Sequence, residues 1–358
     1  MHHVSPLPPV VWSDDCLRHE PGAEIWLGVR TPGTEVPARA IVLRDAMIGA
    51  GAAIVASVRH DDEILGTVHD RALLAHLRGG WAEWVKAGYP DEPGQDRVVP
   101  YVFPTAGLLG GLPARVPAAM SARAGLYCYD TMTLVGPGTW EAARAAVDVA
   151  LTAVDLVVGG APSSYALCRP PGHHATRAAF GGSCYLNNAA VAAEALRRSG
   201  AAARVAVIDI DAHHGNGTQA LFYERADVFY GSVHVDPAAG WFPHYVGFAD
   251  ERGTGPGKGT TRNYPLEPGT ADGGWLAALA ELAGVASGFG PDALVVSLGV
   301  DAGATDPESP LAVTTDGFAA AGRELAALSV PTVLVQEGGY DLARLDQDTL
   351  AVLTSFGA

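Results

Sequence analysis

The stretch Val205-Ala206-Val207-Ile208-Asp209-Ile210-Asp211-Ala212-His213-His214-Gly215-Asn216-Gly217 decides how this chain is read. Its first half is an apolar, β-branched run with no alternation. Such runs suit a parallel strand covered on both faces. In a strand, residues i and i+2 share a face, so Asp209, Asp211 and, while the chain stays extended, His213 point the same way. The glycines that follow end the strand, and strand ends are where open α/β sheets build sites.

Three further runs have the same character: 227–234 (DVFYGSVH), 293–301 (ALVVSLGVD) and 332–339 (TVLVQEGG). Helical patterns lie around them, at 140–155, at 187–198 ending at Gly200, at 275–287, and from Thr315 as N-cap to about residue 328. This alternation predicts an α/β fold, a doubly wound domain with a mostly parallel central sheet and its site at the carboxyl ends of the strands. Residues 79–125 break the pattern. They are rich in Gly, Pro and Trp, and a stretch this long without clear elements reads as a functional loop or contact surface. Residues 237–259 are similar. With no tandem repeat and no linker, the chain of 358 residues is expected to be a single domain.

Hydrophobic residues make up 48% and charged residues 17%, enough for a large core. The net charge of −16 repels nucleic acid and anionic lipid and attracts cations. Cys16, Cys128, Cys168 and Cys184 form no CxxC pair, which suits buried thiols in a reducing compartment. No apolar run reaches the roughly 18 residues of a membrane span. The start MHHVSPLPPVVW lacks the pattern of a secretory signal, so a cytoplasmic location is expected.

Several side chains carry chemistry. Asp211 and His213 after one strand, with Asp301 after another, make an Asp, His, Asp set. Three protein ligands and one open position describe a catalytic zinc site. A lone DxD would be an ordinary pair of strand-end carboxylates; DIDAHHGNGT as a whole is not. His173 and His174 sit on the stiff turn Arg169-Pro170-Pro171-Gly172, where adjacent imidazoles can serve acid–base chemistry. Tyr340 follows Gly338-Gly339 after a strand and can offer a hydroxyl to a developing oxyanion.

RPPGHH, FGGSCYLNN, DIDAHHGNGT, SLGVD and EGGY occur in this order, and together they resemble the histone deacetylase superfamily, from about Val36 to the carboxyl terminus. FGGSCYLNNAAVAAE, FPHYVGFADERGTGPGKGTTRNYPLEPGT and PGTWEAARAAVDVALTA resemble its acetylpolyamine amidohydrolase branch. The resemblance implies an arginase/deacetylase-like fold and one zinc ion per chain, held by Asp211, His213 and Asp301. It implies catalytic roles for His173, His174 and Tyr340, with Asp209 paired to His173 and Asn216 to His174. A structural potassium site would use Asp209, Asp211, His213, Ser232 and Val233. Gly182, Ser183 and Phe242 match the substrate tunnel. The family usually has an aromatic residue where Ser183 stands, so the tunnel is expected to be wider or more polar. Asn216 is an Asp in some members, and a neutral partner stabilises an imidazolium less. Segment 79–125 matches an insertion that builds a homodimer interface and narrows the entrance. Arg39 resembles a residue of an acetate exit channel, with a structural ion pair as the alternative, and Asp130 is a candidate cation contact.

The implied activity is hydrolysis of a linear amide, releasing an acetyl or other acyl group from a small cationic acylated amine. Three alternatives stand beside it: a deacetylase of acetyl-lysine in proteins or a deacylase in a specialised pathway; a relative that only binds; and a two-metal ureohydrolase. Gly303 speaks against the last, because it stands where a second metal would need a carboxylate.

Overall fold

The four apolar runs form the contiguous inner block of an eight-stranded sheet. The computed structural model describes residues 7–357; residues 1–6, part of the segment read for a leader, lie outside the described residues. The strands are β1 (Val10–Trp12), β4 (Ile54–Ala56), β5 (Ser163–Ala166), β6 (Val205–Asp209), β7 (Val228–Val235), β8 (Thr261–Leu266), β9 (Ala293–Leu298) and β10 (Thr332–Gln336). A separate antiparallel hairpin joins β2 (Glu24–Trp26) to β3 (Val29–Thr31). The sheet order is β4-β1-β5-β10-β9-β6-β7-β8, and every pairing is parallel.

Period-2 geometry splits each inner strand between two cores. Val205, Val207, Val295, Val333 and Val335 face one core, closed by helices Thr139–Val158 and Asn188–Arg198. Ala206, Ile208, Leu294, Val296 and Leu334 face the other, closed by helices Pro37–Gly49, Asp272–Phe289, Thr315–Ala326 and Leu345–Phe356. Burial on both faces explains why these strands read as unbroken apolar runs. β8 carries Pro265, which a strand tolerates at an edge, and it lies at one.

Three readings shift. The N-cap of the fourth helix is Thr314, whose side chain accepts from Gly317 N, rather than Thr315. Segment 79–125 is not free of structure: helix Arg71–Lys86 runs into it, helix Ala106–Leu109 lies within it, and helix Met120–Tyr127 begins in it. A β-carbon on Gly80 would come within 3.1 Å of Met120 Cε, so the glycine there serves helix–helix packing. Finally, the three strand runs that end in functional residues stop short of them. β6 ends at Asp209, β9 at Leu298 and β10 at Gln336. Beyond those points carboxylates take over backbone N–H groups that a ladder would have used. Asp209 Oδ1 accepts from Asp211 N, Asp211 Oδ1 from His213 N, and Asp301 Oδ1 from Ala212 N.

Candidate active site

β5, β10, β9 and β6 are neighbours in the sheet, and the chain leaving each of them contributes to one cluster. Asp211, His213 and Asp301 present one ligand atom apiece, all within 4.8 Å of one another. His213 Nδ1 lies 3.2 Å from Asp211 Oδ1 and 3.0 Å from Asp301 Oδ2. Asp211 Oδ2 accepts from Gly338 N at 2.7 Å, which orients the carboxylate from β10's side. Glycine is required at both flanks. A β-carbon at Gly299 or Gly338 would press into the Asp211 carboxylate, and one at Gly338 also into Asp301.

Burial and repulsion from Asp211 push Asp301 up to about 7. Burial would raise Asp211 too, but attraction to His173 and His213 holds it below the usual carboxylate range. Burial would lower His213, and its bonds to Asp211 and Asp301 instead raise it well above an ordinary imidazole. The trio thus collects positive charge between two buried carboxylates. Two oxygens and one imidazole nitrogen are donors that zinc takes, and a dication can replace the proton that these groups hold.

A second group, His173, Cys184 and Glu337, also brings donor atoms within 4.8 Å. Its donors are less suited. Burial holds the Cys184 thiol well above its usual pKa, and Glu337 Oε2 already accepts from Gly172 N and His173 N.

The histidines of the turn lie side by side, ring centroids 4.0 Å apart. His173 Nδ1 meets Asp209 Oδ2 at 3.0 Å, and His173 Nε2 is 3.8 Å from Asp211 Oδ1. Against the cost of burial, these two carboxylates raise His173 to about 10. His174 Nδ1 meets Asn216 Oδ1 at 2.8 Å. Burial, then the neighbouring His173 and His213, push His174 well below the usual range, so it is neutral near pH 7. Asp209 Oδ2 also accepts from Tyr230 OH at 3.2 Å. Ser232 pairs with Asp209 across β6 and β7, next to Val233, and its Oγ is 2.7 Å from His234 Nδ1.

A cavity of about 80 Å³ opens onto the cluster. His174, His213 and Tyr340 line it together with Gly182, Ser183, Phe242 and Met132. The Phe242 ring stands perpendicular to His174 at 4.8 Å. Gly182 and Ser183 both have positive φ, 57° and 61°, and a β-carbon on Gly182 would strike His174 and Phe242. Burial holds the Tyr340 hydroxyl far above its ordinary pKa, so it remains a donor.

Arg39 is 3% exposed. Its guanidinium donates to the carbonyls of Gly339 and Glu337 and pairs with Glu35, while lying 4.5 Å from the Tyr340 ring centroid. The ion-pair alternative therefore describes its contacts. Asp130, read as a candidate cation contact, instead binds the local chain: Oδ2 accepts from Gly182 N at 2.6 Å and Oδ1 from Met132 N and Thr133 N. Among the described residues, none of 79–125 lines the cavity. Besides Met132, sequence reasoning missed Glu24, Thr34 and Glu308, which complete the lining. No motif marks these last three; they arrive from the β2–β3 hairpin, the turn beyond it and the loop after β9. Burial and Glu308 together raise Glu24 to about 7. All four cysteines are buried and free.

Among the described residues, no helix is long and apolar enough to cross a membrane. Residues 34–356 match the histone deacetylase domain. The chain is 41% identical over 345 residues to an acetylpolyamine amidohydrolase from Mycoplana ramosa, covering 96% of this chain and 98% of that protein. It is 40% identical over 348 residues to acetylpolyamine amidohydrolase 1 from Pseudomonas aeruginosa, covering 97% and 98%. The crystal structure of an acetylpolyamine aminohydrolase from Burkholderia pseudomallei superposes with a TM-score of 0.90 at 39% identity, covering 98% of this chain and 99% of that one.

Proposed function

The chain belongs to the histone deacetylase family of amidohydrolases, and on that premise we propose that it is a zinc enzyme releasing acetate from an acetylated polyamine or a related small acylamine. The observation that supports this most is the convergence of Asp211, His213 and Asp301 beside a cavity that also receives His174 and Tyr340. These three side chains would hold the zinc, which supplies a Lewis acid and lowers the pKa of water.

The chain's own groups do the rest. His174, kept neutral, accepts a proton at Nε2 from the attacking water, because its Nδ1 is engaged by Asn216. The Tyr340 hydroxyl donates to the carbonyl oxygen as charge develops there. His173 is held beside the reaction by Asp209 at Nδ1, with Nε2 facing Asp211. Protonated His174 then returns its proton to the departing amine, which cannot leave as an anion. Glu24 and Glu308 attract the free ammonium of the substrate, in keeping with the acidic chain. Asp209, Asp211, His213, Ser232 and Val233 would hold potassium.

We read the chain as one catalytic unit that pairs with a second copy. Tyr101, Leu108, Leu112 and Val116, all within 79–125, are exposed apolar side chains suited to such a contact. Ser183 favours a second reading, in which the acyl group or amine is bulkier than acetylated putrescine.

The test is amine release from zinc-loaded protein on acetylputrescine, acetylcadaverine, acetylspermidine, acetyl-lysine peptides and bulkier acylamines, with Asp211→Ala as control. Turnover of the acetylated polyamines, lost in the control together with bound zinc, is expected. Turnover confined to acetyl-lysine peptides would refute the substrate class. Activity only on bulky acylamines would favour the second reading.

A further inference from the structure

Asn216 orients His174, but an amide has two nearly isosteric faces and only one of them is useful here. With Oδ1 toward His174, Nδ1 must carry the proton and Nε2 keeps its lone pair for the attacking water. With the NH2 group toward His174, Nδ1 becomes the acceptor, the proton moves to Nε2, and the base is lost.

The residue that decides between the two faces is Tyr129, just beyond helix Met120–Tyr127. Its hydroxyl lies 2.8 Å from the His174 carbonyl oxygen and 3.5 Å from Asn216 Nδ2. A phenol has one proton. A carbonyl can only accept, so that proton is committed to His174 O, and the phenolic oxygen can then only accept. The group it accepts from is Asn216 Nδ2. Backbone, phenol, amide and imidazole therefore form a closed polarity loop from His174 O back to His174 Nδ1.

The ring itself is tightly placed. It lies nearly parallel to Phe242, at 14° with centroids 6.4 Å apart, and a β-carbon on Gly181 would strike it. Asn216 also borders an outer groove with Thr176, Gln219 and Tyr223. We propose that Tyr129 is a positioning residue, acting through the amide of Asn216 to hold His174 as the Nδ1–H tautomer. This rests on His174 being the base of the proposed reaction.

The test pairs Tyr129→Phe with Asn216→Asp in zinc-loaded protein, assayed on acetylcadaverine. Phenylalanine keeps the ring and its packing. Aspartate has two equivalent oxygens and needs no choice of face. Tyr129→Phe alone should lower kcat roughly 3- to 10-fold, the range of one lost hydrogen bond, with KM little changed. In the Asn216→Asp background it should change kcat by less than about twofold, as for uncoupled sites. Equal losses in both backgrounds would overturn the proposal, since Tyr129 would then act through packing or the His174 carbonyl alone. No loss in either would overturn it too.

Nitrogen-15 NMR of the histidine rings gives an answer independent of turnover. His174 should be protonated at Nδ1 in the parent protein and mixed in Tyr129→Phe; an unchanged tautomer refutes the role. If the parent protein turns over no acylamine, the functional reading fails, while the NMR result still decides this one.

Discussion

Gly338→Ala should remove zinc while leaving the fold in place. Gly338 does not have a positive φ, so alanine is conformationally allowed there. The obstacle is spatial. A β-carbon would stand 2.5 Å from Asp211 Oδ2 and closer still to Asp301 Oδ2. Real β-carbon contacts are essentially never shorter than 3.0 Å, so each carboxylate must retreat by about 0.5 Å or more. Metal–ligand distances tolerate only about ±0.2 Å. Neither carboxylate has slack, since Asp301 Oδ1 is held by Ala212 N and Asp211 Oδ1 by His213 N. Losing one supporting contact typically costs 10- to 100-fold in metal affinity, so displacing two ligands at once should cost at least about 100-fold. The assay is zinc per chain by elemental analysis after dialysis against a graded chelator, with circular dichroism to monitor the fold. Gly284→Ala is the control: it lies in helix Asp272–Phe289, a β-carbon there meets nothing within 4 Å, and zinc binding should not change. A folded Gly338→Ala protein that binds zinc as tightly as the parent would refute the assignment of Asp211 and Asp301 as ligands.

Two further expectations concern the substrate. Glu24, raised to about 7 by burial and by Glu308, is neutral below that pH and charged above it. KM for acetylputrescine should therefore fall as pH rises through about 7. Glu308→Gln removes the repulsion, so the inflection should move to lower pH. With one carboxylate fewer, KM at pH 8 should rise about 3- to 10-fold, as expected for a partly solvated charge pair; a KM profile unmoved by the substitution would exclude Glu308 from substrate binding. Ser183→Tyr restores a ring to the cavity wall at a position whose left-handed backbone is already occupied by a non-glycine residue. An added aromatic contact of about 1–1.5 kcal/mol should shift kcat/KM by roughly 10-fold toward acetylcadaverine over a bulky acylamine; an unchanged ratio would show that Ser183 does not set the width.

The inner strands, the helices over them and the position of the chemistry were legible in the chain because each is encoded locally. Val205–Ile208 is apolar on both faces, and a buried parallel strand suits that pattern. The polar residues then follow directly, so Asp211 and His213 announce themselves at a strand end. Asp301, His173 and Tyr340 were legible as strand-end or turn residues, and the family resemblance supplied their grouping. β5, with the short sequence SSYA, was not legible, since four residues with one aromatic carry no period. The glycine-rich composition of 79–125 misled, because glycine marks both chain breaks and close packing.

What tertiary structure alone decided is everything that depends on distance through space. Sheet order brings β5, β10, β9 and β6 side by side, and only then do four separate segments share one cavity. Glu24 and Glu308 lie 284 positions apart and gain their mutual influence only there. The same holds for Asp130, which looked free to meet a cation until the fold gave its oxygens the N–H groups of Gly182, Met132 and Thr133. Local pattern specifies which elements form and which face each one buries. Charge, protonation and hydrogen-bond partners are set by neighbours at 3–5 Å, and those neighbours are chosen by packing.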